Sequence, residues 1–250
     1  MSRSLLGFLM FCLLLVLVSA GVVWYVGPPL AAIVVDDERR AGPYYLLQLL
    51  PAGAASPGEG APSYRSRFVT LASEDEGRLL WQGGAVDVLE GSVLLDVAAV
   101  QLMEFVTGAD LVQILTSSDF RSLAADFSHL PLEHLGSSRP PVDVDADAAT
   151  VVVLYRVDGE DAAAALGVPG ERGWLALLPD FRGRVQWDAP VAQIRGSGAW
   201  NRVLLAQFPD TVLAQGWLED PRTATERAIA RKGVYDMVVL LVQPSGFGPR

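Results

Sequence analysis

The sequence predicts an α+β fold: two tandem ferredoxin-like (split βαβ) repeats, their sheets face to face within one chain, behind one N-terminal transmembrane helix. Three observations carry this. Residues 5–26 form an uncharged apolar run, the chain after residue 42 reads twice at a spacing slightly above one hundred residues, and each copy orders its elements as strand, helix, hairpin, helix.

The run LLGFLMFCLLLVLVSAGVVWYV has 22 residues. At about 1.5 Å per residue it crosses a hydrocarbon layer of about 30 Å. Trp24 and Tyr25 fall at the interfacial belt, and Gly27-Pro28-Pro29 stops the helix. Val18-Ser19-Ala20 resembles a signal-peptide cleavage site, but the apolar run continues past it to Val26, so a retained anchor is preferred. Phe11 before Cys12 argues against a lipoprotein site, and Cys12 reads as a small apolar residue of the span. Arg3 and the terminal amine precede the span, whereas Arg39 and Arg40 follow it beside Asp36, Asp37 and Glu38. The short basic head points to an inside N-terminus and a periplasmic-type, extracytoplasmic soluble part.

The first copy is expected to contain a strand at 43–50, a helix at 63–76, a hairpin at 78–106 and a helix at 109–125. Tyr64, Phe68 and Leu71 mark one face of its first helix. The second is expected to contain a strand at 150–157, an Ala-rich helix from Asp161 broken at Pro169 and resuming near Trp174, a hairpin at 185–208, a helix at 211–232 and a strand at 235–243. A final strand is clear only in the second copy. Trp81 matches Trp187, Gly91-Ser92 matches Gly196-Ser197, Phe105 matches Phe208, and Ser118 matches Pro221. The organisation is therefore an anchor at 1–27, a juxtamembrane linker at 28–42, repeats at 43–135 and 150–243, a linker at 136–149 and a tail at 244–250.

The strands are apolar on both faces. Val100 and Leu102 alternate with Gln101, Met103 and Phe105, and Val203 and Leu205 alternate with Leu204, Ala206 and Phe208. Helices cover one face of a ferredoxin-like sheet, so the other face needs a second cover, and the other repeat supplies it.

The hairpin Trp81-Gln82-Gly83-Gly84-Ala85-Val86-Asp87-Val88-Leu89-Glu90-Gly91, the strand ending Glu104-Phe105, and the turn Ser117-Ser118-Asp119-Phe120 resemble domain of unknown function 1330. In that family the hairpin runs GG-x-V-E-V-L-E-G, the strand ends E-F and the helix turn reads S-P-E-Y. Ser118 replaces the proline here. The second copy keeps Phe208 and Pro221 but has Asp188-Ala189-Pro190 for the glycines and Gln207 for the glutamate. The resemblance covers about two-thirds of the soluble chain and implies a dimeric α+β barrel, here as a pseudo-dimer within one chain. It implies no particular reaction.

Composition excludes several activities. The net charge is −10, and the cations are 18 arginines and Lys232, never gathered into a stripe, which disfavours nucleic acid as a partner. A single cysteine leaves no internal disulfide, thiolate nucleophile or cysteine-ligated metal in the soluble part. No phosphate-binding glycine loop or nucleophile elbow is present, so neither a cofactor nor a catalytic set is expected.

The candidate ligand-binding residues are Trp81, Glu104, Trp187 and Gln207. Glu104 and Gln207 occupy matching positions on the Val100/Leu102 and Val203/Leu205 faces; a lone carboxylate there suits acid–base chemistry, but a hydrogen-bonded strand end is the commoner role. The two tryptophans suit an aromatic pocket, though core packing is commoner. Asn201-Arg202 beside Trp200 suits an anion or a solvated hairpin end. His129 and His134 both fall at the edge of the linker, in a Leu-rich loop without the spacing of a zinc site, so a metal or haem role is disfavoured. Asp143-Val144-Asp145-Ala146-Asp147 lacks the glycine and the bidentate glutamate of a calcium loop and reads as solvated linker. The expected function is a non-catalytic module binding a small apolar ligand or a membrane protein partner. The alternative is a cofactor-independent enzyme, monooxygenase- or isomerase-like, acting on a small organic molecule in a cavity between the sheets.

Overall fold

The computed structural model describes residues 42–55, 63–91, 96–157, 166–167, 170–196 and 198–245. The expected membrane span and most of the Ala-rich stretch from Asp161 lie outside these residues. No helix among the described residues is long and apolar enough to cross a membrane.

Strand β1 (Tyr44–Pro51) is buried throughout, because both of its faces meet protein. The short α1 (Ala52–Ala55) follows. Helix α2 (Tyr64–Glu74) is capped by Ser63, whose hydroxyl accepts from Ser66 N at 3.2 Å, and it buries Tyr64, Phe68 and Ala72 at four-residue spacing. The hairpin β2 (Arg78–Glu90) and β3 (Val97–Phe105) agrees with expectation.

The single helix expected at 109–125 is instead α3 (Gly108–Thr116) and α4 (Ser118–Asp126). Ser117 between them is extended and caps α4, its hydroxyl accepting from Phe120 N at 3.0 Å, while Thr107 and Asp110 form a capping box on α3.

Strand β4 (Glu133–Ser137) then crosses the boundary expected at 135/136, and all five of its residues are buried. Sequence analysis gave this copy no clear final strand, because Glu, His, Gly and Ser carry little strand signal.

The C-terminal half comprises β5 (Ala149–Arg156), a 3-10 helix at Trp174–Phe181, β6 (Arg184–Pro190), β7 (Ala192–Arg195), β8 (Arg202–Phe208), α5 (Thr211–Glu219), α6 (Pro221–Lys232) and β9 (Asp236–Pro244). Here too one expected helix is two, since Asp220 and Pro221 end α5 and start α6.

The nine strands among the described residues form one sheet in the order β6-β8-β5-β9-β2-β3-β1-β4-β7. Its halves, β6-β8-β5-β9 and β2-β3-β1-β4, have the same internal order. Both second strands bulge one residue before a tryptophan, between Leu79 and Trp81 and between Val185 and Trp187. The same strands cross between halves. The start of β2 pairs with β3 and its end with β9; β6 pairs with β8 and its continuation β7, beyond Val191, with β4. The two ends of the sheet are thus successive stretches of one segment, and the sheet closes on itself.

Closure creates three cores. The interior joins both halves through Leu47, Leu102, Val152, Leu205 and Leu240, and is filled by Trp81, Trp187 and Trp200. Outside, α2, α3 and α4 pack Phe68, Leu111, Ile114 and Phe120 on one half. The 3-10 helix and α5 pack Trp174 and Trp217 on the other, as a parallel stack with centroids 4.9 Å apart. Each such side chain contributes about 1.5–3 kcal/mol by leaving water.

Candidate functional site

A row of polar side chains lies under the helices of the N-terminal half. Gln101 on β3, Gln48 on β1 and His134 on β4 are directly opposed in register, and all three are fully buried. Their outward-facing neighbours along the strands, Leu46, Leu50, Ala99 and Met103, are apolar. The row faces α2, whose Tyr64 hydroxyl lies 3.2 Å from His134 Nε2.

The hydrogen bonds run in one direction. Gln101 Nε2 donates to Gln48 Oε1, and Gln48 Nε2 donates to His134 Nε2 at 3.1 Å. With an amide and a hydroxyl both aimed at Nε2, that nitrogen is the acceptor, which assigns the ring proton to Nδ1. His134 Nδ1 and Gln101 Oε1 are buried and have no hydrogen-bond partner among the described residues. A buried donor or acceptor left unpaired costs about 1–3 kcal/mol, so the row offers one donor and one acceptor at a standing penalty.

Aromatic rings enclose it. Tyr64 and Phe68 lie 5.9 and 6.1 Å from the His134 ring, Phe127 meets Tyr64 edge-on at 5.5 Å, and Phe120 meets Phe68 edge-on at 6.0 Å. Burial, aided by the Arg195 guanidinium, lowers the His134 pKa to about 3. Burial likewise raises Tyr64 well above the ordinary tyrosine range. The network is therefore uncharged at neutral pH.

The equivalent row in the C-terminal half is apolar. Leu204, Val153 and Val239 are opposed across β8, β5 and β9 just as Gln101, Gln48 and His134 are across β3, β1 and β4. The Trp174–Trp217 stack belongs to the core on that face. A fold that is complete with Leu, Val and Val in one half has no structural need for Gln, Gln and His in the other.

The residues singled out from sequence lie elsewhere. Trp81 and Trp187 are buried in the interior; Trp187 Nε1 donates to Arg139 O at 2.8 Å, whereas Trp81 Nε1 has no hydrogen-bond partner among the described residues. Glu104 stands at the end of the interior face, accepting from Tyr45 Oη at 3.1 Å and from Arg78 Nε at 3.0 Å. Burial, then the Glu104 charge, raises the Tyr45 pKa. Gln207 holds the linker: its Oε1 accepts from Asp145 N and its Nε2 donates to Asp145 O, both at 2.9 Å, with Thr150 Oγ1 at 3.1 Å.

Two expectations are corrected. His134 is not a linker-edge loop residue but a buried strand residue, because β4 completes the sheet. Asn201-Arg202 is not an open anion site: Asn201 bonds both backbone groups of Val157, and Arg202 pairs with Asp188 at 2.7 Å. The Asp188 carboxylate also takes the Tyr155 hydroxyl at 3.4 Å, and burial, then that charge, pushes Tyr155 up to about 12. Sequence reasoning missed Gln48, Gln101 and Tyr64 as a site; the available signal was a lone glutamine in the middle of each of two apolar strands. Among the described residues no group of three or more His, Cys, Asp or Glu is placed to hold a metal ion.

No family model matches the chain, and no curated protein matches it. Among solved structures it is similar to an anthrone oxidase-like protein at 14% identity and TM-score 0.49, covering 80% of this chain and 92% of that one. It is also similar to a candidate monooxygenase from Lactobacillus acidophilus at 10% identity and TM-score 0.42, covering 82% and 95%. A third is a chlorite dismutase variant from Candidatus Nitrospira defluvii, at 11% identity and TM-score 0.43, covering 82% and 92%. All three scores fall below 0.5, so the architecture rests on the strand order and register described above.

Proposed function

We propose that this chain is a binding protein for a small, largely apolar molecule bearing a hydrogen-bonding oxygen. The ligand is held between the helices and the sheet of the N-terminal half. The observation that carries the reading is the row Gln101, Gln48 and His134, fully buried where the other half has Leu204, Val153 and Val239. His134 Nδ1 and Gln101 Oε1 supply the unused donor and acceptor, and Tyr64, Phe68, Phe120 and Phe127 the apolar surround.

Binding is favoured over acid–base catalysis. A general base works best with a pKa near the working pH, and His134 titrates near 3 while Tyr64 is raised. The same reading takes the two halves as tandem ferredoxin-like copies paired as a pseudo-dimer, which the matching strand orders and matching bulges support. It takes residues 5–26 as a membrane anchor with the soluble part outside the cytoplasm, supported by 22 uncharged residues and the short basic head.

The test is native mass spectrometry, with an absorption spectrum, on the full chain released from detergent micelles. Wild type should carry an extra small-molecule mass, and the triple variant Gln48→Val, Gln101→Leu, His134→Val should fold and be empty. An empty wild type, or a folded triple variant that keeps the mass, overturns the proposal.

A further inference from the structure

The two halves differ by one charge at a matched pair of strand positions. In the N-terminal half, Arg78 on β2 faces Glu104 on β3, with Tyr45 opposite on β1. The guanidinium bonds the carboxylate through Nε at 3.0 Å and Nη2 at 2.5 Å. In the C-terminal half the same register places Arg184 on β6 against Gln207 on β8, with Thr150 opposite on β5. Gln207 is neutral and spends its amide on Asp145 and Thr150.

Arg184 thus lacks the carboxylate that its counterpart has. It lines an open cleft of about 670 Å³ together with Arg182, Gln186 and Gln207. That volume falls within the range of about 300–1,000 Å³ usual for small-molecule sites. Neither Arg182 nor Arg184 has an ion-pair partner among the described residues. Phe208, Pro179 and Pro209 give the cleft apolar wall. Asp145 also lines it, with Oδ1 accepting from Asp147 N, so the lining carries two cations against one anion in a chain of net charge −10. Gly183 lies in the wall because a Cβ there would stand 2.5 Å from the Phe208 ring and 2.9 Å from Leu178 Cδ2. Arg182 just before it takes a left-handed turn, φ 57°, that brings the chain from the 3-10 helix into β6.

We propose that this cleft binds a small organic monocarboxylate with an apolar body. The carboxylate takes at Arg184 the place that Glu104 takes at Arg78, with Arg182 as a second cation and the apolar body against Phe208 and the prolines. A charge-assisted guanidinium–carboxylate pair is the strong, geometrically specific form of hydrogen bond, and an apolar wall beside it selects against inorganic anions.

The experiment is calorimetric titration of the full chain with 2-naphthoate. Wild type should bind, and Arg184→Gln, which changes an exposed side chain, should weaken binding tenfold or more. Gln207→Glu should weaken it as much by supplying an internal carboxylate to Arg184. Arg222→Gln, outside the cleft, should bind as wild type. The proposal is overturned if wild type does not bind, if Arg184→Gln binds as wild type, or if methyl 2-naphthoate or inorganic phosphate binds as tightly as the acid. Circular dichroism of each variant identifies any that fail to fold, and Arg184→Gln decides the matter if Gln207→Glu does.

Discussion

His134 ties the stability of the chain to pH. Burial lowers its pKa from the ordinary 6.5 to about 3, so between those values the unfolded chain takes up a proton that the folded chain refuses. Its contribution is complete above pH 6.5 and is lost as pH falls toward 3. At about 1.4 kcal/mol per unit, urea denaturation at pH 4 and pH 7 should show wild type losing about 3 kcal/mol more than His134→Val over that interval. A variant with the same pH dependence as wild type would place the effect elsewhere. Glu104 is the contrasting case. Its partner Arg78 is 70% exposed, and such a pair contributes less than about 1 kcal/mol. Glu104→Gln should therefore barely move the melting temperature while bringing the Tyr45 titration, followed by ultraviolet absorbance, back toward its ordinary value. At this scale the sequence was partly legible. The sequence puts Glu104 at a strand end, where β3 has it, whereas His134 reads as a loop residue because a five-residue strand with one leucine has no readable alternation.

The elements owe their boundaries to short polar signals and their positions to packing. The Thr107 hydroxyl caps α3 by accepting from Asp110 N at 3.2 Å, and the Thr107 N–H donates the reciprocal bond of the capping box to Asp110 Oδ2 at 2.8 Å. Thr107→Ala should cost about 1 kcal/mol, read as a shift in urea midpoint at unchanged slope. The seam between β4 and β7 depends on a glycine. A Cβ on Gly136 would stand 2.6 Å from Tyr44 Cε1 and 2.7 Å from Ile194 Cδ1, side chains from the strands on either side. Gly136→Ala should destabilise by about 1–3 kcal/mol, and hydrogen exchange should quicken first at the amides of β4 and β7. The strands other than β4, and the first helix, are readable from apolar pattern and turn residues. The splits at Ser117 and Asp220 are not, because a capping side chain looks like any other polar residue within an amphipathic run.

At the scale of the molecule, neither half encloses its own inner face. Leu47, Trp81 and Leu102 of one half share a core with Val152, Trp187, Leu205 and Leu240 of the other. The crossed strands β2 and β6-β7 stitch the halves at two seams. Thermal unfolding followed by calorimetry should therefore give one transition with matching calorimetric and van't Hoff enthalpies. A chain cut in the linker after Arg139 should yield halves that remain soluble only when co-expressed. Two separate transitions, or an independently soluble half, would show that each half is a domain.

The amino-acid sequence by itself determined the α+β class, the strand, helix and hairpin that open the first half, the hairpin and closing strand of the second, and the need for a cover on the second face of each sheet. These follow from local periodicity and turn chemistry, which neighbouring residues carry between them. Only the tertiary structure decided that Gln48, 86 residues from His134, meets it at 3.1 Å, and that the C-terminal half has valine and leucine in the equivalent row. Strand register across such distances is settled by the packing of both faces at once, so no local pattern announces which buried polar residues will meet.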